Sequence, residues 1–128
     1  MKTVGIGVDI IYNKRIKNSI KNKKFISRAF SKKEILNSKK ILNKINYLSK
    51  RFAAKEALAK ALGTGFRDGL NLKDIEILND KNGKPYYLVT NKLKDLIKKR
   101  KKVKNFNLFL SISDEKEYSI AFTMIEKI

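Results

Sequence analysis

At 128 residues the chain has material for one core and not for two, and 42% hydrophobic against 34% charged residues argues for a folded domain over a disordered segment. With no cysteine and no histidine, the sequence excludes disulfides, thiolate chemistry, histidine metal sites and both Ser-His-Asp and Cys-His catalysis. The net charge of +19 invites a polyanionic partner, but the basic residues are mostly lysine amid abundant isoleucine and asparagine, a bias that an AT-rich genome also deposits on solvated faces.

Thr3 to Ile11 reads as a buried strand, since Asp9 interrupts the apolar run and no small-residue cleavage site follows it, as a signal peptide would require. No apolar run approaches the about 20 residues that span a bilayer, so no membrane association is expected. Asn13 is placed to cap a short helix carrying Ile16 and Ile20, whose other positions are basic: Lys14, Arg15, Lys17 and Lys21. Lys23, Lys24 and Arg28 extend this basic tract, and Phe25, Ile26, Ala29 and Phe30 fall at helical spacing within it. Ser31 with Glu34 forms a capping box for the next helix. A longer helix is predicted from about Ile45 to Leu62, stopped by Gly63 and Gly65.

The period then changes. Ile75 and Ile77 alternate with polar residues, Asn79 to Gly83 forms a turn, and Pro85 to Val89 resumes an extended run, which predicts a hairpin. Thr90 caps a helix bearing Leu93, Leu96 and Ile97, and a second strand pair runs from Leu108 to Met124 around a turn at Asp114 to Glu117. The expected architecture is one α+β domain over residues 1–128, a small antiparallel β-sheet with helices packed on one side. Taken alone, Asp9 reads as a cap for the following helix, and Glu56 with Lys60 as a solvated i, i+4 ion pair.

Three stretches read together change that picture. Gly5-Ile6-Gly7-Val8-Asp9-Ile10 is the first, and Arg51-Phe52-Ala53-Ala54-Lys55-Glu56-Ala57 continuing through Lys60-Ala61 to Gly63-Thr64-Gly65 the second. The third is Asp74-Ile75-Glu76-Ile77 followed by Asp80 and Gly83-Lys84-Pro85. In this order and spacing the chain resembles the holo-[acyl-carrier-protein] synthase family of 4′-phosphopantetheinyl transferases, in its short, single-unit branch.

The resemblance implies transfer of 4′-phosphopantetheine from coenzyme A to a serine of apo acyl carrier protein, in fatty acid biosynthesis, by a cytoplasmic homotrimer with active sites between subunits. It makes Asp9 and Glu56 the ligands of a magnesium ion, for which manganese can substitute, and two hard oxygen donors suit such a cation. Lys60 would neutralise phosphate charge. Arg51, Gly83, Lys84 and Pro85 would hold the nucleotide of coenzyme A. The serine proton has two open routes, through a water or through Glu56. Many family members carry a histidine where this chain has Asp114, and another where Phe109 stands, so a mechanism relying on histidine is set aside. The basic segment of Arg15, Lys21, Lys24 and Arg28, with Phe25 as an apolar anchor, is expected to receive the acidic carrier protein.

Two alternatives are weighed. A nucleic-acid-binding module would explain the charge, yet Tyr86-Tyr87 and Phe106/Phe109 make no stacking motif, and no helix-turn-helix or zinc pattern exists, so no specific nucleic acid partner is expected. A transferase serving a specialised carrier protein stays open.

Overall fold

The computed structural model describes residues 1–63, 65, 66 and 69–128; Thr64 of the second motif lies outside them. In chain order they form β1 (Lys2–Tyr12), α1 (Asn13–Ser19), α2 (Lys23–Ala29), α3 (Lys32–Ser38), α4 (Lys44–Leu62), a 3-10 turn (Leu72–Asp74), β2 (Glu76–Asn79), β3 (Pro85–Leu88), α5 (Asn91–Lys101), β4 (Phe106–Asp114) and β5 (Tyr118–Lys127).

The α+β class is borne out, with the strands divided between two antiparallel sheets, β1-β5-β4 and β2-β3. In the larger sheet β5 lies in the middle, pairing Asp9 with Ala121 on one side and Ile112 with Ala121 on the other. Side chains alternate across it, as strand geometry requires. On β5, Ser119, Ala121, Thr123 and Ile125 are buried against α4, while Ile120 and Phe122 point away. The outward face of β1 is strongly exposed, Ile6 at 60% and Ile10 at 59%.

Helix α4 lies on the inner face at backbone contact. A Cβ on Gly5 would overlap the carbonyl oxygen of Ala61, and one on Gly7 the carbonyl oxygen of Ala57. Small residues on both elements therefore set their separation: Gly5 and Gly7 on the strand, Ala53, Ala57 and Ala61 on the helix, all three alanines fully buried. The helix ends as the sequence predicts, at Gly63 in the left-handed region with φ 86°.

The Ser31–Glu34 capping box is present and does more than cap. The Glu34 side chain is buried, and its Oε1 accepts from Lys55 Nζ at 2.6 Å while Oε2 accepts from the backbone N–H of Ile77. Lys55 Nζ also donates to the Leu72 carbonyl, so one buried ion pair joins α3, α4, the 3-10 turn and β2. The β2-β3 hairpin is tied in from its other strand, where the Tyr87 hydroxyl lies 2.6 Å from both the Ala54 carbonyl and Thr123 Oγ1.

Asn13 departs from expectation. It is the first residue of α1, whose N-cap is Tyr12, and no side chain caps that helix. Its side chain instead donates to the carbonyl of Lys116 and accepts from Ser119 Oγ, fastening the helix start to the β4-β5 turn. Asp9 does not cap α1 either, because its side chain turns onto α4.

Candidate active site

The alternation that sends Val8 and Ile10 outward turns Asp9 toward α4 beside Gly7, where the lost glycine side chain lets the helix approach. Glu56 and Lys60 stand one turn apart on that helix, flanking Ala57, and so both meet the end of the strand. Lys60 Nζ donates to Asp9 Oδ1 at 3.0 Å and to the Val8 carbonyl at 3.0 Å. The remaining carboxylate oxygen, Asp9 Oδ2, is buried with no hydrogen-bond partner among the described residues.

Glu56 is half-buried, and its pKa is raised above the ordinary glutamate value, first by burial and then by the negative charge of Asp9. Lys60 and Arg15 pull the other way without cancelling the rise. A buried acceptor without a donor is costly, and a Glu56 carboxylate disfavoured by burial and by the charge of Asp9 is stabilised in its charged form by a cation. Asp9 Oδ2 and the Glu56 carboxylate therefore fit a hard divalent cation. No third carboxylate joins them among the described residues, so most of the coordination shell would be left to water and to substrate oxygens.

The sequence reading put Lys60 on substrate phosphate; the structure puts it on Asp9 and the Val8 carbonyl, still half exposed, with its third hydrogen left to meet a ligand. It also adds Arg15, whose charge reaches Glu56 and whose guanidinium lies 5.8 Å from the Phe52 ring centre. The sequence reading gave Arg15 to the carrier-protein surface; its action on Glu56 was not foreseen, since nothing in spacing alone brings α1 onto α4.

A second feature is a cavity of about 310 Å³ beside the start of α4, lined by Asn46, Lys50, Arg51, Gly83, Pro85 and Asp114 among others. Arg51 is almost fully buried, with its guanidinium over the Tyr47 ring at 3.6 Å. One terminal nitrogen donates to Asn79 Oδ1, while its Nε has no partner among the described residues. Asn79 in turn donates to the Gly83 carbonyl, so the arginine and the glycine turn are braced together. Gly83 adopts φ 84°, open to glycine at no steric cost. Lys84 is exposed and not part of this lining; its backbone N–H is held by Asp80 Oδ1. The cavity thus brings together Arg51, Gly83 and Pro85 and adds Asn46, Tyr47 and Asn79. The i, i+4 spacings Tyr47–Arg51 and Asn46–Lys50 were the sequence signal that could have found two of these.

On the third side, Lys21, Lys24 and Arg28 are exposed on and beside α2, and the Arg28 Nε donates back to the Lys24 carbonyl. Phe25 is half-buried in a cluster with Phe30 and Phe52, ring centres 6.2 and 5.7 Å away. Phe25, Arg28, Phe52, Leu70 and Lys73 border a mainly apolar cavity of about 480 Å³.

This fold and this constellation have known counterparts. The chain belongs to the 4′-phosphopantetheinyl transferase superfamily, whose family model matches residues 5–123. A holo-[acyl-carrier-protein] synthase of Pelagibacter ubique is 60% identical over 127 residues, covering 99% of both chains. Among solved structures, the holo-[acyl-carrier-protein] synthase of Neisseria meningitidis is 38% identical with a TM-score of 0.83, covering 98% of this chain and 99% of its own. That of Bacillus anthracis, in complex with CoA (3′,5′-ADP), is 32% identical with a TM-score of 0.82 and full coverage of both chains. The activity of this chain is accordingly that of a phosphopantetheinyl transferase, moving phosphopantetheine from coenzyme A to apo acyl carrier protein.

Proposed function

We propose that the transfer depends on magnesium, or manganese in its place, held by Asp9 and Glu56, in a homotrimer that serves the carrier protein of fatty acid biosynthesis in the cytoplasm. The observation that carries the metal reading is Asp9 Oδ2, buried without a partner beside a carboxylate of raised proton affinity. When bound, such a cation supplies positive charge to the pyrophosphate oxygens of coenzyme A as the serine hydroxyl attacks and adenosine 3′,5′-bisphosphate leaves. Asp9 presents Oδ2 because Lys60 occupies Oδ1. The one hydrogen of the Lys60 ammonium not given to Asp9 or the Val8 carbonyl then serves the same phosphates. With no histidine in the chain, the serine proton passes to Glu56 or to solvent.

The nucleotide end of coenzyme A is assigned to the cavity at Arg51, Gly83 and Pro85, with Lys84 at its rim. A guanidinium stacked on Tyr47 with an unused Nε is suited to a phosphate. The carrier protein is assigned to the basic surface of Arg15, Lys21, Lys24 and Arg28, where the apolar cavity at Phe25 would take a hydrophobic side chain. The trimer is supported by the open face of the larger sheet. Ile6, Val8 and Ile10 on β1 meet Ile120 and Phe122 on β5 and Phe109 on β4, all exposed, in a patch that a soluble chain ordinarily covers.

The test is incubation with coenzyme A and apo acyl carrier protein, with and without magnesium after chelation. The expected result is a carrier protein heavier by one phosphopantetheine, only when the metal is present. Equal conversion in excess chelator overturns the metal reading.

A further inference from the structure

The nucleotide cavity carries a negative charge that its assignment does not use. Asn46 Nδ2 donates to Asp114 Oδ2 at 2.7 Å, so the carboxylate at the end of β4 is clamped from the first turn of α4. Both residues line the cavity. Lys50 and Arg51 lie on the same helix four and five residues further on, about 6 Å along the axis. The wall thus carries an acceptor-only group held by Asn46 and, apart from it, a guanidinium stacked on Tyr47 and bonded to Asn79.

We propose that Asp114, positioned by Asn46, sets the orientation of the bound nucleotide: it repels phosphate from the helix-start end of the cavity and accepts a hydrogen bond from a neutral donor on the nucleoside. This rests on the reading of the cavity as the nucleotide site and extends it. A doubly phosphorylated nucleoside could enter such a cavity either way round. A carboxylate held by Asn46 and a guanidinium held apart from it by Tyr47 and Asn79 make only one entry favourable, because like charges repel where opposite charges bind. An adenosine offers two neutral donors, the exocyclic amine of the base and the ribose 2′-hydroxyl, and the shared chemistry is a donor meeting an ionised acceptor. Asn46 is needed because an exposed side chain at a strand end is otherwise free to turn into solvent.

Calorimetry of the full chain without added metal tests this with four probes: adenosine 3′,5′-bisphosphate, its inosine analogue, its 2′-deoxy analogue and inorganic pyrophosphate. Wild-type protein should bind adenosine 3′,5′-bisphosphate about ten-fold or more tighter than one of the two analogues, the loss expected for one hydrogen bond to a charged group. Loss with inosine identifies the amine as the donor, and loss with the 2′-deoxy sugar identifies the hydroxyl. Asp114→Ala should reduce that discrimination to within about two-fold while binding pyrophosphate as tightly as wild type or more so. Asn46→Ala should show the same change in part. Discrimination that survives Asp114→Ala overturns the inference, as does a wild type that binds both analogues like the parent. Failure of the underlying reading looks different: wild type would not bind adenosine 3′,5′-bisphosphate at all, or Arg51→Met would bind it unchanged.

Discussion

Lys60 and Asp9 form an ion pair of 3.0 Å that holds one oxygen of the carboxylate and leaves the other buried and alone. The ammonium and a divalent cation would then share a single aspartate. Removing the ammonium by Lys60→Met should tighten manganese binding several-fold, because a nearby positive charge is gone. The same change should slow transfer about 10²-fold at saturating metal, since the phosphates lose a charged donor. Titration calorimetry and single-turnover assays measure the two effects, and a fall in both would assign Lys60 to holding Asp9 alone.

Asp9→Asn and Glu56→Gln should each lower transfer by about 10³-fold or more while keeping the fold, as losing a ligand of a catalytic cation does. Circular dichroism and thermal melts in chelator check the fold. Wild-type activity should vanish on chelation and return with magnesium or manganese, and it should do neither in the variants.

The raised pKa of Glu56 gives stability a sign with pH. The folded state favours the protonated carboxyl, so its stabilising contribution is fully present below the ordinary glutamate value and is lost as pH rises through the raised one. In chelator, Glu56→Gln should therefore melt at a higher temperature than wild type at pH 7, with the gap closing toward pH 4. A gap that widens on acidification would reverse the sign and contradict the burial of this group.

If the exposed sheet face is the contact between subunits, wild type should sediment at three times the 14.8 kDa chain mass. Ile120→Glu with Phe109→Glu, both distant in sequence from the carboxylates, should give monomers that have lost most transfer activity. A monomeric wild type with full activity excludes the trimer.

Steering of the carrier protein separates position from net charge. Arg15 is unsuitable for this test because its charge acts on Glu56. Lys21→Glu with Lys24→Glu should cut kcat/KM for the carrier protein about 5- to 10-fold at low salt, leaving KM for coenzyme A unchanged. Lys99→Glu with Lys104→Glu, an equal charge change elsewhere, should do much less. Equal losses from both pairs would make net charge the cause.

Local signals carried far in this chain. The Ser31–Glu34 box, the Thr90 cap on α5 and the Gly63 stop of α4 each depend on neighbours within a few residues, and each stands where its residues predict. Contacts between distant segments had no such signal. Glu34 looks like a capping residue alone until α4 delivers Lys55 to it, and Asn13 looks like a cap until the β4-β5 turn offers it carbonyls. The division of strands into two sheets was equally invisible, because alternation fixes which residues face the core and says nothing about which strand lies beside which. At the site, Asp9, Glu56 and Lys60 were legible only as a motif; the pairing of Lys60 with Asp9, and the clamp of Asn46 on Asp114, join residues far apart in sequence and exist only once the chain is folded.

The glycines of β1 give the carboxylate pair a property that side chains alone could not. With Gly5 and Gly7 seated on the carbonyls of Ala61 and Ala57, the strand carrying Asp9 and the helix carrying Glu56 touch main chain to main chain. Their spacing is then fixed by covalent geometry and atomic radii, which do not breathe as rotamers do. The distance between the two backbones is thereby set, and only the side-chain torsions of Asp9 and Glu56 are left to adjust the gap between their carboxylates.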